Sequence, residues 1–166
     1  MAKKRKSYYT KNEVTANGIS FAAKEAYNLL RTNLFFSFSD DAKCRVIGVT
    51  STIPSEGKSL TAANTAMAMA EAGRRVLLID SDMRLPTIHK KLGFKAAPGL
   101  SNLLVGMNDV EKAIYRLEDK GFDVMPAGNT PPNPTELLGS ARMEKLLNGL
   151  SAHYDYIIID LPPVTI

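Results

Sequence analysis

Residues 45–60, RVIGVTSTIPSEGKSL, run from a short β-branched segment through a polar turn into a Gly-Lys-Ser ending. The segment that follows, Lys58 to Ala72, is rich in Ala and Met and reads as a helix, so the turn sits in the strand–loop–helix context that a phosphate-binding loop needs. Successive backbone N–H groups around Ser55 to Ser59 would wrap phosphate oxygens, and the positive end of the helix dipole would add to the attraction. The expected nucleotide-binding residues are therefore Pro54, Ser55, Glu56, Gly57, Lys58, Ser59 and Leu60. Gly57 permits close approach. Lys58 would extend along the β and γ phosphates, and the Ser59 hydroxyl would be a ligand for Mg²⁺. One departure stands out: Thr52 occupies the place of the first glycine in the G-x-x-x-x-G-K-[ST] pattern. The bland alternative is a surface loop in which Glu-Gly-Lys-Ser is accidental.

Two further segments bear on the choice. LLIDSDMRLP, residues 77–86, carries an apolar run straight into Asp80, Asp82 and Arg84. On an extended chain Asp80 and Asp82 share one side, at the carboxyl end of a strand, where open α/β sheets bind ligands. Two close carboxylates repel unless a cation or proton intervenes, and nucleotide-bound Mg²⁺ would supply that charge. One of the pair would then accept the proton of an attacking hydroxyl. Alone, this segment reads as a solvated turn paired with Arg84. YDYIIIDLPP, residues 154–163, ends its apolar run in Asp160, an acid suited to holding Mg²⁺ through water beside a phosphate loop. Three strand ends converging on one phosphate and metal site are less expected by chance than any one of them.

The rest of the chain fits an alternating pattern. Short runs rich in Val and Ile recur at Arg45–Thr50, Val76–Ile79, Phe122–Met125 and Tyr156–Ile159, mostly continuous, as in strands covered on both faces. Helical segments are read at Glu25–Phe36, Lys58–Ala72, Val110–Leu117 and Pro134–Leu147. The expected fold class is α/β: a parallel β-sheet sandwiched by helices, joined by right-handed crossovers. Residues 1–20 are read as a flexible basic segment and residues 21–166 as one P-loop domain.

Bulk properties exclude more than they assign. At 166 residues with a hydrophobic share of 45%, the chain suits a single core. No run of eighteen apolar residues and no secretory leader is present, so a cytoplasmic location is expected. Cys44, the lone cysteine, has no internal partner and reads as a small buried hydrophobe. The net charge of +4 owes much to Lys3, Lys4, Arg5 and Lys6. Without aromatics interleaved on a folded face, no nucleic-acid partner is expected.

IPSEGKS, LLIDSDMRLP and YIIIDLPP resemble, in order, the Walker A, A′ and B motifs of the bacterial tyrosine kinases (BY-kinases) of capsule and exopolysaccharide systems. EAYNLLRTNLFFS (Glu25 to Ser37) resembles the N-terminal helix of that family, and NTPPNPTELLGS (Asn129 to Ser140) its Pro-rich segment. The resemblance accounts for Thr52, because BY-kinase loops tolerate a non-glycine there. It implies ATP and Mg²⁺ as cofactors, Lys58, Asp80 and Asp82 as catalytic residues with Asp80 as candidate base, and Ser59, Asp82 and Asp160 on the metal. It further implies protein tyrosines as acceptors, and a transmembrane activator protein that keeps the kinase at the inner face of the membrane. The family's Glu-x-x-Arg-x-x-Arg pattern for ring-like self-association is matched by Glu25 and Arg31, while Asn28 replaces the middle arginine and weakens that contact.

Relatives of this kind continue past the position of Ile166 into a base pocket and a tyrosine cluster, so the chain is read as carrying the phosphate half of the site. Tyr8, Tyr9, Tyr27, Tyr115, Tyr154 and Tyr156 are scattered, and only Tyr8 and Tyr9 are weighed as phosphoacceptors. Two rivals share the motifs. A ParA/MinD-like ATPase switch usually has a lysine early in the loop, and none lies between Thr50 and Glu56. A catalytically inactive interaction module is the other.

Overall fold

The computed structural model describes residues 19–38 and 43–164, which leaves the basic cluster and Tyr8 and Tyr9 outside it. Among the described residues five strands form one sheet: β1 (Arg45–Val49), β2 (Val76–Asp80), β3 (Tyr115–Leu117), β4 (Phe122–Met125) and β5 (Tyr156–Asp160). Their spatial order is β1-β5-β2-β4-β3, parallel except for β3, which runs antiparallel to β4. β2 and β5 are buried at every position, as their unbroken apolar runs require.

Strand alternation divides the core into two layers. Val76, Leu78, Tyr156 and Ile158 face α1 (Phe21–Ser37) and α2 (Lys58–Glu71), where Ala62, Ala66 and Met69 are fully buried. The alanines let α2 lie close to the sheet. Leu77, Ile79, Ile157 and Ile159 face the opposite layer, with Leu100 and Leu104 of α4 (Leu100–Leu104) and Met143 and Leu150 of α7 (Ala141–Leu150). Cys44 packs at the edge of this second layer, half-buried, and burial raises its thiol pKa.

The remaining helices are short: α3 (Ile88–Leu92), α5 (Val110–Ala113) and α6 (Pro134–Leu138). Two expectations are corrected. The helix expected over Val110–Leu117 stops at Ala113 and turns into β3, whose Tyr115, Arg116 and Leu117 pair with β4. The helix expected over Pro134–Leu147 is two helices. Gly139 closes α6, and Ser140 caps α7 by accepting the Met143 N–H at 3.3 Å. No helix among the described residues is long and apolar enough to cross a membrane.

Candidate active site

The turn between β1 and α2 explains Thr52. Among the described residues positive φ outside glycine occurs only at Ser55 (φ 69°), and Gly57, the residue preceding α2, has φ 88°. Thr52 lies outside the left-handed region, so no glycine is required there. Glu56 completes the loop. Its Oε2 accepts the Thr52 N–H at 2.9 Å and the Ile53 N–H at 3.1 Å, tying the entry of the loop to its exit. Pro54, Ser55, Glu56 and Gly57 are exposed, whereas Ser59 is buried and Leu60 half-buried in the first turn of α2. A Cβ at Gly57 would meet nothing within 4 Å, so its demand is conformational rather than steric.

Three adjacent strand tips meet at this loop. In the parallel register Val49, Asp160 and Asp80 stand side by side on β1, β5 and β2. Lys58 Nζ donates to Asp160 Oδ1 at 2.7 Å and lies 3.5 Å from Asp82 Oδ2. All three side chains are at most 9% exposed. Asp82 Oδ1 accepts the Leu85 N–H at 3.1 Å, and the Ser59 hydroxyl accepts from Thr87 Oγ1 at 2.9 Å. Arg84 is exposed and pairs with no acid among the described residues, so the solvated Asp–Arg turn is not what forms.

Asp80 is fully buried, and its oxygens accept the N–H groups of Asp82 (3.2 Å) and Ile88 (3.1 Å). Burial first, then the charge of Asp160, pushes its pKa up to about 7 against the pull of those two N–H donors. In this conformation it organises the turn that carries Asp82 and presents no oxygen to solvent. Burial likewise raises Asp160, opposed by the Lys58 ammonium and the Ser59 hydroxyl.

Asp82 and Asp160 around the one Lys58 ammonium leave an excess of negative charge, and among the described residues Asp160 Oδ2 is buried without a hydrogen-bond donor. A hard cation is the natural complement of such an oxygen. Among the described residues no group of three or more His, Cys, Asp or Glu is arranged to hold a metal alone. The set therefore fits magnesium carried on phosphates, which needs only one or two carboxylates and a hydroxyl from the protein.

Glu25, Asn28 and Arg31 form a chain on α1. Asn28 Nδ2 donates to Glu25 Oε1 at 3.2 Å, while Arg31 Nη1 donates to Asn28 Oδ1 at 3.3 Å and to the Ala68 carbonyl of α2 at 3.1 Å. Thr87 and Ile88 were not singled out from the sequence. Thr87 reaches Ser59 across the fold while Ile88 closes the turn after β2 onto Asp80, and only the Asp-rich turn preceding them hinted at it.

A parallel sheet with this loop and these strand tips defines a P-loop NTPase of the MinD/ParA-like class. The family model described as AAA domain matches residues 44–165. MinD of Pyrococcus horikoshii, solved with Mg-ADP, is similar over 70% of this chain and 48% of its own, at TM-score 0.60 and 27% identity. The likeness to kinases is greater: the kinase domain of the Escherichia coli tyrosine kinase ETK gives TM-score 0.82 at 33% identity, covering 98% of this chain and 64% of that one. Tyrosine-protein kinase YwqD of Bacillus subtilis is 38% identical over 164 residues, 99% of this chain and 69% of the relative. Putative tyrosine-protein kinase CapB of Staphylococcus aureus is 37% identical over 140 residues, 84% of this chain and 61% of its length. The chain belongs to the bacterial tyrosine-protein kinase family and spans about two thirds of these relatives.

Proposed function

We propose that residues 21–166 carry the phosphate-binding part of an ATP-dependent protein-tyrosine autokinase that regulates capsular or exopolysaccharide synthesis and export. The observation that carries this reading is the meeting of Lys58, Asp82 and Asp160 within ion-pair distance at the mouth of the loop. The amides from Ser55 to Ser59 would hold the phosphates, and Lys58 would transfer its ammonium from the acids to the β and γ oxygens. Ser59, Asp82 and Asp160 would hold Mg²⁺, whose chemistry is to neutralise and orient the triphosphate. A tyrosine oxygen then bonds to the γ phosphorus as the bond to ADP breaks, and its proton passes to a carboxylate. Of the Asp80 and Asp82 pair, Asp82 has the better access, and Asp80 supports it through the Asp82 N–H. Positioning and charge neutralisation supply most of the catalysis.

Partners follow from the same reading: a transmembrane activator protein that brings the kinase to the inner face of the membrane, protein tyrosines as acceptors, and ring-like self-association using Glu25 and Arg31. The tie of Arg31 to α2 and the presence of Asn28 weaken that association. A MinD-like ATPase switch is the second reading, favoured by the shared architecture and opposed by the absence of lysine between Thr50 and Glu56.

The test is transfer of labelled γ-phosphate to a synthetic Glu/Tyr copolymer, with Mg-ATP and the activator tail supplied. Phosphotyrosine that disappears in Lys58→Met supports the kinase. Phosphate released to water with no phosphotyrosine supports the ATPase. Full transfer by Lys58→Met overturns the role given to the loop.

A further inference from the structure

The sheet has a second end, remote from the phosphate loop. Arg75 precedes β2, His153 and Tyr154 precede β5, and Asp123 of β4 stands beside Leu77 near the start of β2. These positions lie about one strand length, roughly 16 Å, from the tips that carry Asp80 and Asp160. Above them, between α4 and α5 on one side and α7 on the other, opens a cleft of about 850 Å³. That volume is in the range of ordinary small-molecule sites, roughly 300–1,000 Å³.

Its floor is apolar: Leu104 and Leu150 are buried, and Ile114 and Leu146 are half-buried beside them. Of its charged lining, Arg75 is paired with Asp155 at 2.6 Å, which leaves Arg116, Arg142 and Lys145 with Glu111 and Asp123. Asp123 is already engaged by Arg116 at 3.2 Å and the Tyr154 hydroxyl at 2.7 Å. Arg142 donates to the Leu104 carbonyl at 2.8 Å, bridging α7 to α4, and has no carboxylate partner among the described residues. Lys145 has no ion pair or hydrogen bond among the described residues. On α7 the lining positions Lys145, Leu146, Gly149 and Leu150 follow helical spacing, and Gly149 sits in the middle of the stripe. A Cβ there would meet nothing within 4 Å. The glycine keeps open a space that any larger side chain would enter.

We propose that this cleft binds a single-chain amphiphilic anion, an acyl chain ending in a carboxylate or phosphate. The chain lies on Leu104, Ile114, Leu146 and Leu150, and the head group meets Lys145 and Arg142. Apolar burial supplies most of the affinity, and the two cations select an anionic head over a neutral one. The site is independent of the phosphate loop and does not rest on the kinase reading.

Calorimetric titration of the full chain with decanoate, decanol and acetate tests it. Saturable one-to-one binding of decanoate is expected, with decanol about threefold weaker and acetate without heat. Lys145→Glu weakens decanoate about fivefold and leaves decanol unchanged. Gly149→Phe abolishes binding of both without lowering the melting temperature, and Gly149→Met replaces it where the ring perturbs the fold. Sedimentation with phosphatidylglycerol vesicles that is lost in Gly149→Phe overturns the single-chain assignment in favour of a two-chain bilayer lipid, whereas no sedimentation supports a free amphiphile. Decanoate without saturable heat overturns the proposal. So does unchanged affinity in the Gly149 variants, which would place adsorption on the exposed Phe21, Leu29 and Phe36 of α1.

Discussion

At Lys58 one ammonium answers several acids. Breaking a buried pair costs more than the pair contributes, because the partner is left desolvated and unpaired. Lys58→Met should therefore lower unfolding free energy by about 3 kcal/mol, read from the denaturant midpoint, and Asp160→Asn in the same chain should restore part of it. Asp80 gives a pH signature. Its folded pKa of about 7 lies above the unfolded value of 3.8, so the native state binds more protons between the two. The linked stability is full below about pH 4 and is lost as pH rises through about 7, a cost on the order of 4 kcal/mol. In magnesium-free buffer the melting temperature should fall from about pH 5 to about pH 8, and the fall should flatten in Asp80→Asn. At Gly57 the left-handed backbone alone is at stake. Gly57→Ala should cost roughly 1–2 kcal/mol in an equilibrium melt, since a side chain there meets no neighbour.

At the scale of elements, α7 offers two tests of opposite sign. Ser140 caps it, and Ser140→Ala should destabilise by about 1 kcal/mol. Gly149→Ala should stabilise by up to about 1 kcal/mol, because the added methyl lies in open space inside a helix. Both are measured by urea titration. The central strands were legible because burial on both faces writes an unbroken apolar run into the chain, as in VLLI and YIII. β3 was not. Tyr115, Arg116 and Leu117 carry too few residues for a period of two to emerge, and the preceding Val110–Ala113 turn is helical. The split at Gly139 and Ser140 was hidden because the apolar spacing continues across it. In the site, the acids were legible from their places at strand ends. The bond from Thr87 to Ser59 and the two N–H groups held by Glu56 were not, since such contacts are set by how the turns fold back.

For the whole molecule, the proposed function makes the loop and the acids one binding unit, and ligand linkage tests it. On that proposal, Mg-ATP at about a hundred times its dissociation constant should add about 2.7 kcal/mol to stability and raise the melting temperature of a chain this size by roughly 5–10 °C. Thermal scans should show that shift, with much smaller shifts for Mg²⁺ or ATP alone and none of the three in Asp82→Asn/Asp160→Asn. The strand order carries a further consequence for how the protein is born. Among the described residues β1 has a single neighbour in the sheet, β5, although some hundred residues of chain lie between them. A growing polypeptide leaving the ribosome thus exposes the loop long before the strand that must wedge itself between β1 and β2 exists. Such distant pairing is slow to nucleate, so vectorial synthesis should complete the proposed phosphate site in one late event, when Asp160 emerges, rather than by degrees.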